Sequence, residues 1–136
     1  MPPHGLFDPT DCLSGDNIPA GLVPDFGGVI YDYNALSRRS ITAAHAQTLP
    51  ENTIRGVMPS WDNTPRRGAQ AHIAHGANPA AFRAWMMKLR EGGMTTSYRR
   101  ELFVNAWNEW GETAMLEPSA RHGNLNLQAM RDMTAP

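Results

Sequence analysis

The residues of this chain whose types and spacing could do chemistry lie between Phe103 and Pro118, in the stretch FVNAWNEWGETAMLEP. A short apolar run is followed there by Trp107 and Trp110, with Asn105 and Asn108 and the carboxylates Glu109, Glu112 and Glu117. Neither a core strand nor a solvated loop needs that mixture. Glu109 and Glu112 stand three positions apart and are flanked by indoles. Such a set suits carbohydrate, because indole faces stack on sugar rings and amides and carboxylates bond hydroxyls. A pair of carboxyls can also exchange protons with a glycosidic oxygen.

The elements that must position these groups can be read from periodicity. Leu102 to Ala106 is an apolar run broken only by Asn105, which predicts a buried strand ending near Trp107. Asn108 to Glu112 would then leave the carboxyl end of that strand, the edge where parallel α/β folds carry their chemistry. Upstream, Gly27 to Tyr33 predicts a strand and Asn34 to Gln47 a helix capped by Asn34, with Leu36, Ile41, Ala43 and Ala44 inward. Asp32 at the strand end fits either a sugar contact or a cap for the next element. His45 reads as a favourable helix C-terminal residue, not a catalytic one.

Thr53 to Ser60 predicts a second strand ended by Pro59, followed by Trp61-Asp62-Asn63-Thr64 on the same rim as the two glutamates. By residue type alone, Asp-Asn-Thr is an ordinary turn and N-cap signal. Arg67 to Ala77 is polar and small and reads as a solvated loop or short helix. His72 and His75 have no further ligand at metal spacing, so no metal is assigned. Asn78 to Glu91 predicts a helix with Phe82, Trp85, Met86 and Leu89 on one stripe, ended by Gly92-Gly93. Arg121-His122-Gly123 reads as a turn, and Asn124 to Met133 as a terminal amphipathic helix using Leu125, Leu127 and Met130. Residues 1–25, rich in proline, form an irregular segment ahead of a domain at 26–136. Strand, helix and strand in alternation predict parallel βαβ units.

Two blocks carry a resemblance to a known family. Asn108-Glu109-Trp110-Gly111-Glu112 followed by Leu116-Glu117-Pro118, and VMPSWDNTPRR from Val57 to Arg67, resemble the WbsX-like family, which is related to glycoside hydrolase family 99. The resemblance implies a (β/α)8 barrel of the TIM type acting on glycosidic bonds, with the chain supplying its carboxy-terminal portion. It also implies that Glu112 is the general acid/base, and that Glu109 acts on the neighbouring 2-hydroxyl so that this oxygen attacks the anomeric carbon. That chemistry requires one carboxyl protonated and the other ionised. Trp61 becomes a sugar platform, Asp62 and Asn63 hydroxyl partners, and Trp107, Asn108 and Trp110 substrate contacts. Arg66 or Arg67 would meet a carboxylate or acidic substituent of the substrate, or an acid of the loop itself. Glu117 would fix the loop by bonding backbone amides. Thr113 stands where the family usually carries Gly, and Ser119 where an Asp commonly follows.

The family association is bacterial surface polysaccharide and O-antigen metabolism, so hydrolysis and glycosyl transfer both fit. The alternative is a carbohydrate-binding module, or a degenerate fragment, that turns nothing over. At 136 residues the chain falls short of the roughly 250 of a full barrel. The expectation is therefore a sheet completed by the remainder of the barrel or by self-association. With 12 basic and 13 acidic residues the net charge is −1, which gives no nucleic-acid footprint. No apolar run reaches the roughly 18 residues of a membrane span. The single Cys12 fits a reducing compartment, so a cytoplasmic setting is expected, with no cofactor and an oligosaccharide or polysaccharide as partner.

Overall fold

The computed structural model of the chain describes residues 7–22, 24–45, 50 and 52–134. Its strands and α-helices run in the order β1 (Val29–Asp32), α1 (Tyr33–His45), β2 (Arg55–Val57), α2 (Thr64–Arg67), β3 (His72–His75), α3 (Pro79–Gly92), β4 (Leu102–Val104), β5 (Asn108–Glu109), β6 (Ala114–Met115) and α4 (Leu125–Thr134). The chain is thus a mixed α/β fold.

The core is built from the stripe that periodicity marks on α3. Phe82, Trp85, Met86 and Leu89 are all buried there, against Tyr33 and Leu36 of α1, Val57 and Met58 of β2 and its end, and Ala129 of α4. Full burial of such a side chain contributes about 2 kcal/mol relative to exposure. The Tyr33 and Trp85 rings meet edge to face, and the buried Tyr33 hydroxyl donates to the Met58 carbonyl at 2.7 Å. Asn78 accepts from the Ala81 amide at 3.0 Å and so caps α3. On α1 the cap is Asp32, whose Oδ1 accepts from the Asn34 amide at 2.8 Å, so the helix starts one residue before the expected cap Asn34. Of the two roles open to Asp32, the structure gives it the capping one. The expected end of that helix at Gln47 lies outside the described residues.

Strands β1 to β4 pair in parallel, but not with their sequence neighbours. β1 lies beside β3, with Val29 opposite His72, and β2 lies beside β4, with Arg55 opposite Leu102. Residues 67–77, expected as loop or short helix, therefore contain a strand. The sequence His-Ile-Ala-His offers no apolar run, and its register comes from backbone bonds to β1 and to Trp61–Asn63. The 7–25 segment is only partly irregular. Cys12 bridges to Tyr31 on the outer edge of β1, and the Leu13 amide donates to Ile30 at 2.8 Å. Residues 1–6 and 23 of the expected irregular segment lie outside the described residues. Among the described residues no helix is long and apolar enough to cross a membrane.

Candidate functional site

β4 ends at Val104, three residues earlier than the sequence predicts, because the following segment turns to pair with the chain beyond the glutamates. Ala106 donates to Ala114 at 3.2 Å, Leu116 donates to Trp107 at 2.9 Å, and Glu117 also donates to Trp107 at 3.1 Å. β5 and β6 then pair antiparallel, with Asn108 opposite Met115 and Glu109 opposite Ala114. A single 3-10 turn, Trp110–Glu112, joins them. The two candidate carboxylates therefore sit at the end of β5 and the end of that turn, on one tight hairpin. Thr113 closes the turn in the left-handed region at φ 50, ψ 16, a conformation that favours the glycine usual at this place.

Arg66, presented by α2, engages both glutamates. Its Nη2 donates to Glu109 Oε1 at 2.8 Å, and its Nη1 lies 3.6 Å from Glu112 Oε1. Glu112 is only 6% exposed, whereas Glu109 is half-buried. A guanidinium between two carboxylates offsets their mutual repulsion and orients both. Gly111 makes this possible, since a Cβ at that position would lie 2.8 Å from Arg66 Nε. Sequence reading finds the arginine but not the glycine, which is conspicuous only once the guanidinium is seen against it.

The WDNT block has a different job from the one expected. Trp61 is 1% exposed and belongs to the core, so its indole offers no open face on which a sugar could stack. Asn63 is buried, and its Oδ1 accepts from the His72 amide at 2.7 Å, leaving it a strand-holding role in place of a hydroxyl contact. Asp62 Oδ1 accepts from the Thr64 amide at 2.9 Å, the turn-forming role that its residue type suggests, although the residue also lines a cleft beside the hairpin. Through the backbone, the Ala74 amide donates to Trp61 at 2.8 Å and the Asp62 amide to Glu112 at 2.9 Å. The block thus ties β3 to the hairpin.

Trp107 and Trp110 do stand open, at 54% and 48% exposure, and Asn108 is exposed between them. Glu117 accepts from the Trp110 indole Nε1 at 2.6 Å and so fixes that ring; among the described residues its carboxylate bonds no backbone amide, the role expected of it. The cleft has a volume of about 660 Å³ and is lined by Ser60, Trp61, Asp62, Trp110, Thr113 and Met115 together with residues 73–78 and 119–122. Glu109 and Glu112 do not line it. Among the described residues no group of three or more His, Cys, Asp or Glu is arranged to hold a metal.

The chain matches the family model of glycosyltransferase WbsX over residues 10–130. It is similar to a protein of Xanthomonas campestris pv. campestris strain B100 described as uncharacterized protein WxcX, at 39% identity over 111 residues. The WxcX protein of strain ATCC 33913 is 39% identical over the same length. These spans cover 79% of the chain but 15% of each relative, so the chain matches only a small part of the curated proteins it resembles. No solved structure matches the chain significantly.

Proposed function

The chain belongs to the WbsX glycosyltransferase family, and from that premise we propose that it handles glycosidic bonds in bacterial polysaccharide metabolism through Glu109 and Glu112. The observation that carries this reading is the placement of both carboxyls on one tight hairpin beside Arg66, which bonds Glu109 at 2.8 Å and leaves Glu112 buried at 3.6 Å. In the proposed chemistry Glu112 gives a proton to the glycosidic oxygen as its bond to the anomeric carbon breaks, while Glu109 takes one from the neighbouring hydroxyl, whose oxygen bonds that carbon. The acceptor then displaces this oxygen, losing a proton to Glu112, and the hydroxyl regains its own from Glu109. Arg66 is the positioning residue that holds both acids. Hydrolysis and transfer differ only in whether water or a sugar hydroxyl receives the glycosyl group.

The parallel sense of both strand pairs supports membership of a larger (β/α)8 barrel. Such a barrel pairs successive strands, whereas β1–β3 and β2–β4 each skip one, so the sense of the pairs supports it and their order does not. The test is product analysis on oligosaccharides with and without an added sugar acceptor, comparing the chain with Glu112→Gln and Glu109→Gln. Loss of both hydrolysis and transfer by about 100-fold or more in each variant is expected for a general acid/base pair. Turnover unchanged in Glu112→Gln would sink the catalytic reading.

A second reading is favoured by the two open indoles of Trp107 and Trp110 on the same hairpin. In it the chain binds sugar without turning it over and the glutamates serve only as hydrogen-bond acceptors. Saccharide binding retained in Glu109→Gln, with no turnover in either form, would select that reading.

A further inference from the structure

The cleft beside the hairpin has a lining that the carboxylate pair does not explain. Its volume of about 660 Å³ lies in the range of small-molecule sites. Its lining includes Arg121, His75 and His122, set against the single carboxylate of Asp62. Asp62 already directs Oδ1 at Thr64. No ion pair to Arg121 is found among the described residues, in contrast to Arg66, whose charge is shared by two glutamates.

Both basic walls are held in place. Ser119 and Gly123 exchange backbone hydrogen bonds at 3.1 and 2.7 Å, and the Ser119 hydroxyl accepts from the His122 amide at 3.1 Å. Arg121 and His122 therefore project from a closed turn. Elsewhere on the lining, Asn78 Nδ2 donates to the Gly76 carbonyl at 3.0 Å, fixing the turn that leads from His75 into α3. Ala77 and Asn78 bring the start of this 14-residue helix to the cleft, and the positive end of its dipole favours a negative charge there. The exposed indole of Trp110, fixed by Glu117, supplies an apolar wall.

We propose that this cleft is a subsite for a sugar bearing an anionic substituent, carboxylate or phosphate, with Arg121 as its charge partner and Trp110 as the wall against its ring. The proposal rests on the carbohydrate reading of the hairpin and names the substrate class. The test uses the 136-residue chain and follows tryptophan fluorescence and amide NMR shifts. Four probes are titrated: a glucuronosyl-glucose disaccharide, its neutral glucosyl-glucose counterpart, glucose 6-phosphate and inorganic phosphate. At least one acidic probe should bind more tightly than the neutral one. Arg121→Gln should weaken it by about 10- to 100-fold, the range for a hydrogen bond to a charged group, and leave neutral binding unchanged.

Arg121→Lys, which keeps the charge, should restore part of the loss. Preference for the uronate or for the phosphate assigns the source of the charge. Equal binding of acidic and neutral disaccharides overturns the subsite while leaving the carbohydrate reading intact. Inorganic phosphate binding as tightly as glucose 6-phosphate also overturns it, since the sugar would then contribute nothing. Failure of every saccharide to bind would overturn both readings.

Discussion

Thr113 permits a test of the hairpin that carries the glutamates, by a pair of substitutions whose order of stability is inverted from the usual one. Its backbone is left-handed, at φ 50, ψ 16, and its carbonyl accepts from the Ser60 hydroxyl, a bond that no side-chain change at 113 removes. In right-handed or extended backbone, Ala is more stable than Gly by about 0.5–1 kcal/mol, because Gly loses more freedom on folding. A left-handed conformation costs a residue with a Cβ about 1–2 kcal/mol. Thr113→Gly and Thr113→Ala both discard the same half-buried hydroxyl and methyl, so the difference between them isolates the backbone. Subtracting the midpoints of the two effects leaves Gly ahead of Ala by about 0.75 kcal/mol. For a chain of this size that is a difference of about 2–4 °C in Tm. Near-UV circular dichroism on heating reads it, since two tryptophans flank the turn. A melt in which Thr113→Ala equals or exceeds Thr113→Gly would refute the left-handed assignment and the turn built on it.

Two further outcomes are expected from the same geometry. Gly111→Ala places a Cβ where Arg66 Nε now lies 2.8 Å away, so the guanidinium must move off Glu109. The pair is largely exposed and worth at most about 1 kcal/mol, so Tm should change little. Sugar turnover or binding should fall as in Arg66→Ala; a Gly111→Ala protein with unaltered activity would separate Arg66 from the site. Asp132 has its carboxyl held below the usual carboxylate range, chiefly by the hydrogen bond from Arg83 and then by the charges of Arg83 and Arg131. The unfolded chain therefore binds that proton more readily than the folded one. The stabilisation is complete above the ordinary Asp value of about 4 and is lost as pH falls through the lower folded value. Melts of the chain and of Asp132→Asn should converge as pH drops from about 5 to about 3. A constant gap across that range would refute the linkage.

The three longer helices, α1, α3 and α4, were legible because their signals are local, whereas α2 was read as part of a loop. Phe82, Trp85, Met86 and Leu89 recur at helical spacing behind an Asn-Pro start, and α3 occupies Pro79–Gly92 against the expected 78–91. Leu125 to Thr134 agrees as closely with the terminal helix read from its apolar residues. Strand β3 was not legible, because His72 and His75 give it no apolar run and its register is imposed by β1 and Trp61–Asn63. Trp61 shows the same limit at the site. An indole beside Asp-Asn-Thr looks like a loop platform until the neighbouring strand is known, and only then is it seen to be core. Arg66 was legible as a partner for carboxylates, but which carboxylates depended on a hairpin whose pairing spans residues 106–117.

The lacing of Trp61, Asp62 and Asn63 between β3 and the hairpin bears on how substrate preference can change in descent. These residues serve as scaffold, so mutation there is penalised through folding whatever sugar is bound. The turns at 76–78 and 119–123 border the cleft outside the paired strands, the second carrying Arg121 and His122. On the proposed carbohydrate reading, lineages would trade one sugar for another by rewriting those turns while their WDNT block stays the same. Two relatives sharing the block need not share a substrate.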